Sequence, residues 1–137
     1  HAIACPALPL CGLAMTEAER SIQEVIDRLD AKLKSLGINK QILIRMTGCP
    51  NGCARPYMAE LALVGSGVNV YQLWLGGNPN LTKLAKPFLQ KMPIEELEDT
   101  LHPLFLSWKE SGLKTSFGQY IRKLGDKNIH HLLNKAE

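Results

Sequence analysis

Four cysteines arranged as two pairs constrain this 137-residue chain more than any other feature. Cys5 and Cys11 make a C-x5-C pair, Cys49 and Cys53 a C-x3-C pair, and residues 12–48 lie between the pairs. If the four thiols act together, both segments must be folded against one scaffold. Pro6 and Pro9 stiffen the first segment and Pro50 the second. Gly12, Gly48 and Gly52 let backbone amides come close to sulfur.

Three chemistries compete for such a set. Structural zinc favours C-x2-4-C knuckles in a closed tetrahedral site, which suits the second pair better than the first. Disulfides require an oxidising compartment, and no signal peptide is visible in these residues. Buried free thiols are the plain alternative. An iron–sulfur cube takes four thiolates and tolerates varied spacing, provided that the loops wrap it closely. On spacing, the iron–sulfur reading leads without excluding the others. Leu8, Leu10, Leu13 and Met15 are expected to keep water from such a cluster.

Composition narrows the setting. Apolar residues make up 45% and charged residues 21%, the balance of a globular domain with a core. Apolar runs are too short for a membrane-spanning helix. Net charge is +3 and the basic residues are scattered, so neither nucleic acid nor a membrane surface is indicated. The chain opens with His1 close to Cys5, which is expected if a leader has been removed or if these residues are part of something longer.

Local patterns predict an α+β unit: a small mixed sheet packed with helices, cysteine loops at its edge and a helical C-terminal tail. Ala2–Ala14 reads as a compact loop because of Pro6 and Pro9. Thr16 is expected to start a helix, with Glu19 completing a capping box, and Gly37 to end it. Gln41–Met46 reads as a buried strand leading into the second cysteine loop. A short helix is expected over Arg55–Glu60. Leu61–Val64 and Val70–Leu75 read as strands joined by a turn at Gly65-Ser66-Gly67, and Gly76-Gly77-Asn78-Pro79 ends the second. From there the chain reads as mostly helical. One helix follows Pro93, with a kink near Pro103 and an end at Gly112, and weaker ones span Ser116–Leu124 and Asn128–Lys135. Trp74, Phe105 and Trp108 sit at core spacing.

Two motifs in register then identify a resemblance. Ala4-Cys5-Pro6-Ala7-Leu8-Pro9-Leu10-Cys11, followed by Ala14-Met15-Thr16-Glu17-Ala18-Glu19-Arg20, resembles the first cluster motif of sulfite and nitrite reductase haemoproteins. Thr47-Gly48-Cys49-Pro50-Asn51-Gly52-Cys53-Ala54-Arg55-Pro56-Tyr57-Met58-Ala59-Glu60-Leu61 resembles the second. Tyr71–Gly77 and Ser116-Phe117-Gly118 match as well, and the likeness runs along essentially the whole chain. The stretches around Arg55–Leu61 and Tyr71–Gly77 are most similar to the ferredoxin-dependent sulfite reductases.

The resemblance implies that Cys5, Cys11, Cys49 and Cys53 hold a 4Fe–4S cluster, with Cys53 also ligating a sirohaem iron and therefore standing at the catalytic centre. Thr47 and Asn51 are implied to hydrogen-bond sirohaem carboxylates or cluster sulfurs, against the alternative of ordinary turn chemistry. Arg20, Arg45 and Arg55 are weighed as cations for a carboxylate and as plain surface charges. The histidines His1, His102, His130 and His131 are not read as ligands. Lys83, Lys86, Lys91, Lys109, Lys114, Arg122, Lys123, Lys127 and Lys135 make the second half basic, suited to steering an acidic ferredoxin or simply solvated.

The implied activity is six-electron reduction of sulfite to sulfide, in the cytoplasm or plastid stroma. Residues 1–137 are implied to be the C-terminal cluster and sirohaem domain, with the anion-binding Arg and Lys supplied by an N-terminal remainder of the same enzyme. The sister ferredoxin-nitrite reductase, and from another class a non-catalytic metal-binding module built on the four cysteines, stand as alternatives.

Overall fold

The proline-rich start conceals a strand. In the computed structural model, which describes residues 2–78, 80 and 83–134, Ala2–Ala4 forms β1. It runs parallel to β2 (Ile44–Thr47), with Ala4 opposite Met46. A three-residue strand carries too little pattern to be read from sequence; its pairing with β2 makes it one. The expected loop therefore begins only at Cys5.

Between these strands lies α1 (Ile22–Ser35), which buries Val25, Leu29 and Leu33 along one face. Gly37, at φ 75°, allows the left-handed turn that ends it. The expected start at Thr16 is corrected. The helix begins behind Ser21 without a side-chain cap, and Thr16 is buried at 2% exposure because its hydroxyl has other partners.

β2 is followed in parallel by β3 (Leu61–Gly67), Ile44 opposite Leu61. Parallel neighbours cannot be joined by a tight turn. Residues 48–60 are that crossover, so the second cysteine motif is itself the connection. Its predicted helix is reduced to one 3-10 turn at Pro56–Met58.

β3, β4 (Val70–Leu75) and β5 (Lys86–Pro93) form an antiparallel meander, giving the sheet order β1-β2-β3-β4-β5. The expected turn at Gly65–Gly67 is corrected: both glycines lie in β3, the register shifts between them, and the chain reverses at Val68–Asn69. β5 was not expected at all. Only Phe88 and Met92 along it are buried, too sparse a pattern to separate it from loop.

The helical part follows: a 3-10 turn at Ile94–Glu96, then α2 (Leu97–Glu110), α3 (Phe117–Leu124) and α4 (Asp126–Asn134). The α2 helix continues through Pro103 without a break. Ser116 caps α3, accepting from Gln119 N. The expectations that involve His1, Pro79 and Lys135 lie outside the described residues.

Strand alternation divides the sheet. Ile44, Met46, Leu61, Leu63, Leu73 and Leu75 join the helices in one core with Val25, Leu29, Phe105, Trp108 and Phe117. The Phe117 ring lies 5.4 Å from Phe105 and 5.2 Å from Trp108, so both are packing residues. Trp74 is half-buried, and its ring N–H donates to Gln72 Oε1. On the other face, Arg45 and Thr47 in β2 stand opposite Ala62 and Val64 in β3. The fold is the mixed α+β arrangement that the sequence predicts.

Candidate functional site

Both cysteine loops leave the same edge of the sheet. Cys5 follows the C-terminal end of β1, and Cys49 comes two residues after the C-terminal end of its parallel neighbour β2. Cys5 N donates to Met46 O, which carries the ladder one step into the first loop. Ligand sites favour such strand ends, because the loops there are free of the ladder and lie side by side.

The loops interlock through their backbones. Met15 N donates to Gly48 O across the two loops, and Leu8 N to Thr16 O closes the first loop on itself. A Cβ on Gly48 would fall 2.6 Å from both Ala7 Cβ and Thr16 O, so only glycine lets the loops close. Gly65 carries the same constraint, since its missing Cβ leaves room for the Gly48 carbonyl. That is why a glycine expected in a turn stands in a strand.

Cys5 Sγ accepts two hydrogen bonds, from Thr47 Oγ1 at 3.3 Å and from Gly48 N at 3.2 Å. Donors aimed at sulfur stabilise thiolate, the form that binds metal. Cys5 and Cys49 are buried, Cys11 is half-buried and Cys53 is exposed, and all four are free thiols. Each pair thus sets one cysteine at the scaffold and one further out. Four cysteines supply soft sulfur donors of the kind an iron–sulfur cluster takes, and one of them, Cys5, already accepts an amide and a hydroxyl donor. Among the described residues, no three Cys, His, Asp or Glu side chains converge closely enough to hold a metal ion.

The other expected site residues separate. Thr47 is fully buried and bonded to the site. Asn51 is exposed at the tip of the turn after Pro50. Arg55 is exposed, at a left-handed φ of 51°. Leu10, Leu13 and Met15, expected to shield a cluster, are 78%, 70% and 47% exposed, so nothing within the described chain lies over them. Among the described residues, the second-half lysines and arginines are scattered, Lys83 and Lys114 on connections and the others over β5, α2, α3 and α4, and Lys86 pairs with Asp126.

The supporting roles of Thr16, Tyr71 and Glu60 were missed. Thr16 Oγ1 bonds Tyr71 Oη at 3.1 Å and accepts from Asn69 N, which fastens the first loop to the β3–β4 hairpin. Tyr71 Oη donates to Glu17 O at 2.6 Å, so the proton in the Thr16 contact is the threonine's. Burial raises the Tyr71 pKa, opposed by the Thr16 bond and assisted by the charges of Glu17 and Cys5. Glu60, 1% exposed, accepts from Leu43 N at 2.7 Å and from Gly118 N at 3.0 Å, closing the far end of the second loop onto the start of α3. Gly77 and Gly118 lack the Cβ atoms that would collide with Ala59 O and Gly77 O. Of the arginines weighed as cations, Arg45 is buried, 8% exposed, and its Nη1 donates to Ala54 O at 2.9 Å. Glu60 and Arg45 share one signal in the sequence, a charge embedded in an apolar run.

No family model matches the chain. It is 50% identical over 127 residues to the sulfite reductase (ferredoxin) of Synechococcus elongatus, covering 91% of this chain and 20% of that protein. It is 44% identical to the NADPH sulfite reductase hemoprotein beta-component of Acidithiobacillus ferrooxidans, over 90% of this chain and 22% of that one. Among solved structures, the Mycobacterium tuberculosis NirA protein matches with a TM-score of 0.75 and 23% identity, over 93% of this chain and 26% of that one. Dissimilatory sulfite reductase I matches at a TM-score of 0.66 and 8% identity, over 97% and 51% respectively. These structural likenesses speak to the fold. The chain spans about a fifth of the length of the curated relatives it matches. No helix among the described residues is long and apolar enough to cross a membrane.

Proposed function

Because nine-tenths of this chain is homologous to sulfite reductase haemoproteins, we infer that it forms the part of such an enzyme that carries a 4Fe–4S cluster and a sirohaem. Cys5, Cys11, Cys49 and Cys53 would hold the cluster, and Cys53 would also serve the sirohaem iron. When bound, the two cofactors accept single electrons and deliver six of them to sulfite. The chain's own residues hold the ligand loops, donate hydrogen bonds to sulfur and keep the inner thiols dry.

The observation that carries this reading is the sulfur of Cys5, reached by the Thr47 hydroxyl at the end of β2 and by the Gly48 amide at the start of the second loop. One segment therefore supplies donors to the other's thiol, as a shared ligand set requires. The exposed Cys53 and the uncovered Leu10, Leu13 and Met15 leave the outer side of the loops open to a cofactor. Asn51, exposed on that side, is placed to meet a polar group of it. The remaining wall, with the cations that bind sulfite and the sirohaem carboxylates, belongs to an N-terminal remainder, which makes residues 1–137 a C-terminal domain. Ferredoxin is the proposed donor, on the strength of the 50% identity to a ferredoxin enzyme. The cytoplasm or plastid stroma follows from that assignment.

Reconstitution of the chain with ferrous iron and sulfide tests the reading. About four irons per chain and a broad visible absorption are expected, reduced strongly by serine at any of the four cysteines. With sirohaem supplied, a Soret-type band should shift on Cys53→Ser. A protein that takes up zinc in preference to iron, with no visible band, refutes the redox reading.

A further inference from the structure

Arg45 occupies the middle of β2, a strand buried at every position. Its side chain lies on the face shared with Thr47, whose hydroxyl donates to Cys5 Sγ. The register neighbours on that face are Ile3, Ala62 and Val64, none of them charged. The guanidinium makes one hydrogen bond, from Nη1 to the carbonyl of Ala54, the residue after Cys53. Nε is buried with no hydrogen-bond partner, and among the described residues no carboxylate pairs with Arg45. A guanidinium does not neutralise itself by losing a proton. A buried unpaired cation is strongly unfavourable, and an opposite charge brought near it offsets that cost.

We propose that Arg45 is the buried counter-charge of the anionic cluster held by the two cysteine loops, acting as a positioning and potential-setting residue beneath the Cys49–Cys53 loop. This rests on the cluster assignment above. A 4Fe–4S group with four thiolate ligands is a net anion, because sulfides and thiolates together outweigh the iron. A fixed cation nearby favours the reduced, more negative state. The single bond to Ala54 O keeps the cation under the ligand loop without neutralising it.

The test compares the full chain with Arg45→Met and Arg45→Lys, metal-free and after reconstitution with ferrous iron and sulfide. In the loaded protein, Arg45→Met should lower the one-electron reduction constant at least tenfold, about 59 mV in midpoint potential. Arg45→Lys, which keeps the charge, should stay within about threefold. In the metal-free chain, Arg45→Met should unfold at the same or a higher denaturant concentration, since an uncompensated buried charge has been removed. An unchanged potential in Arg45→Met overturns the proposal. So does a tenfold or greater loss of metal-free folding stability, which would make the guanidinium a structural tether. If the unaltered chain takes up no cluster, the cofactor assignment fails by that observation, and the metal-free comparison separately decides whether the fold needs this charge.

Discussion

The two cysteine loops leave adjacent strand ends, yet they are held by different means. The first, from Cys5 to Thr16, is fastened by neutral contacts: Met15 N to Gly48 O, and Thr16 to Tyr71 and Asn69. The second, residues 48–60, is fastened at its end by a buried side chain, Glu60 on Leu43 N and Gly118 N, while Arg45 gives a single bond to Ala54 O near its middle. The first is a loop inside a β–helix–β unit, between β1 and α1. The second is a parallel crossover with only one 3-10 turn of regular structure, so its backbone depends on side chains for hydrogen bonds.

Removing the charge at the end of the second loop should have the largest effect. Glu60→Ala strands the buried Gly118 amide and the half-buried Leu43 amide, and should cost roughly 3–6 kcal/mol in denaturant unfolding, at about 1.5–3 kcal/mol per bond. A cost below about 1 kcal/mol would mean that water replaces the carboxylate and that the two loops are held more alike than their bonding suggests. Forcing the loops apart comes next. Gly48→Ala introduces a Cβ against Ala7 and the Thr16 carbonyl and should destabilise by about 1–3 kcal/mol. Hydrogen exchange at Met15 should then accelerate, because its amide bonds to Gly48 O.

The smallest effect should appear with pH, and in the first loop. Tyr71 has a folded-state pKa raised above its ordinary 10.0. Its contribution is therefore fully present below about pH 10 and lost as pH rises through the folded value. Stability measured from about pH 9 to 11 should fall in the unaltered chain and fall less in Tyr71→Phe. Equal slopes would show that the Thr16–Tyr71–Glu17 contact does not anchor the loop.

Much of this was legible in the residues. The pairing of the cysteines, the apolar spacing of α1 and the alternation of β4 are one-dimensional patterns, and they survive in the structure. What was misread depends on contacts between distant segments. Thr16 carries the grammar of a helix cap, but its hydroxyl is taken by Tyr71 and Asn69, fifty-five and fifty-three positions away. Gly65 and Gly67 carry the grammar of a turn, but at Gly65 the absent side chain makes room for Gly48. β1 and β5 are too short or too sparsely buried to be seen without the partners that complete them.

The sequence by itself supplied four cysteines, their glycines and their prolines, because these are properties of residue types and spacing. It determined the family likeness too, through motifs that need no geometry. Only the tertiary structure decided which thiol is dry and which open, which hydroxyl reaches which sulfur, and that Arg45 is a buried cation without a counter-ion among the described residues. Burial and pairing are relations between segments, set by how parallel strands bring two loops to one edge, and no single stretch of chain contains them.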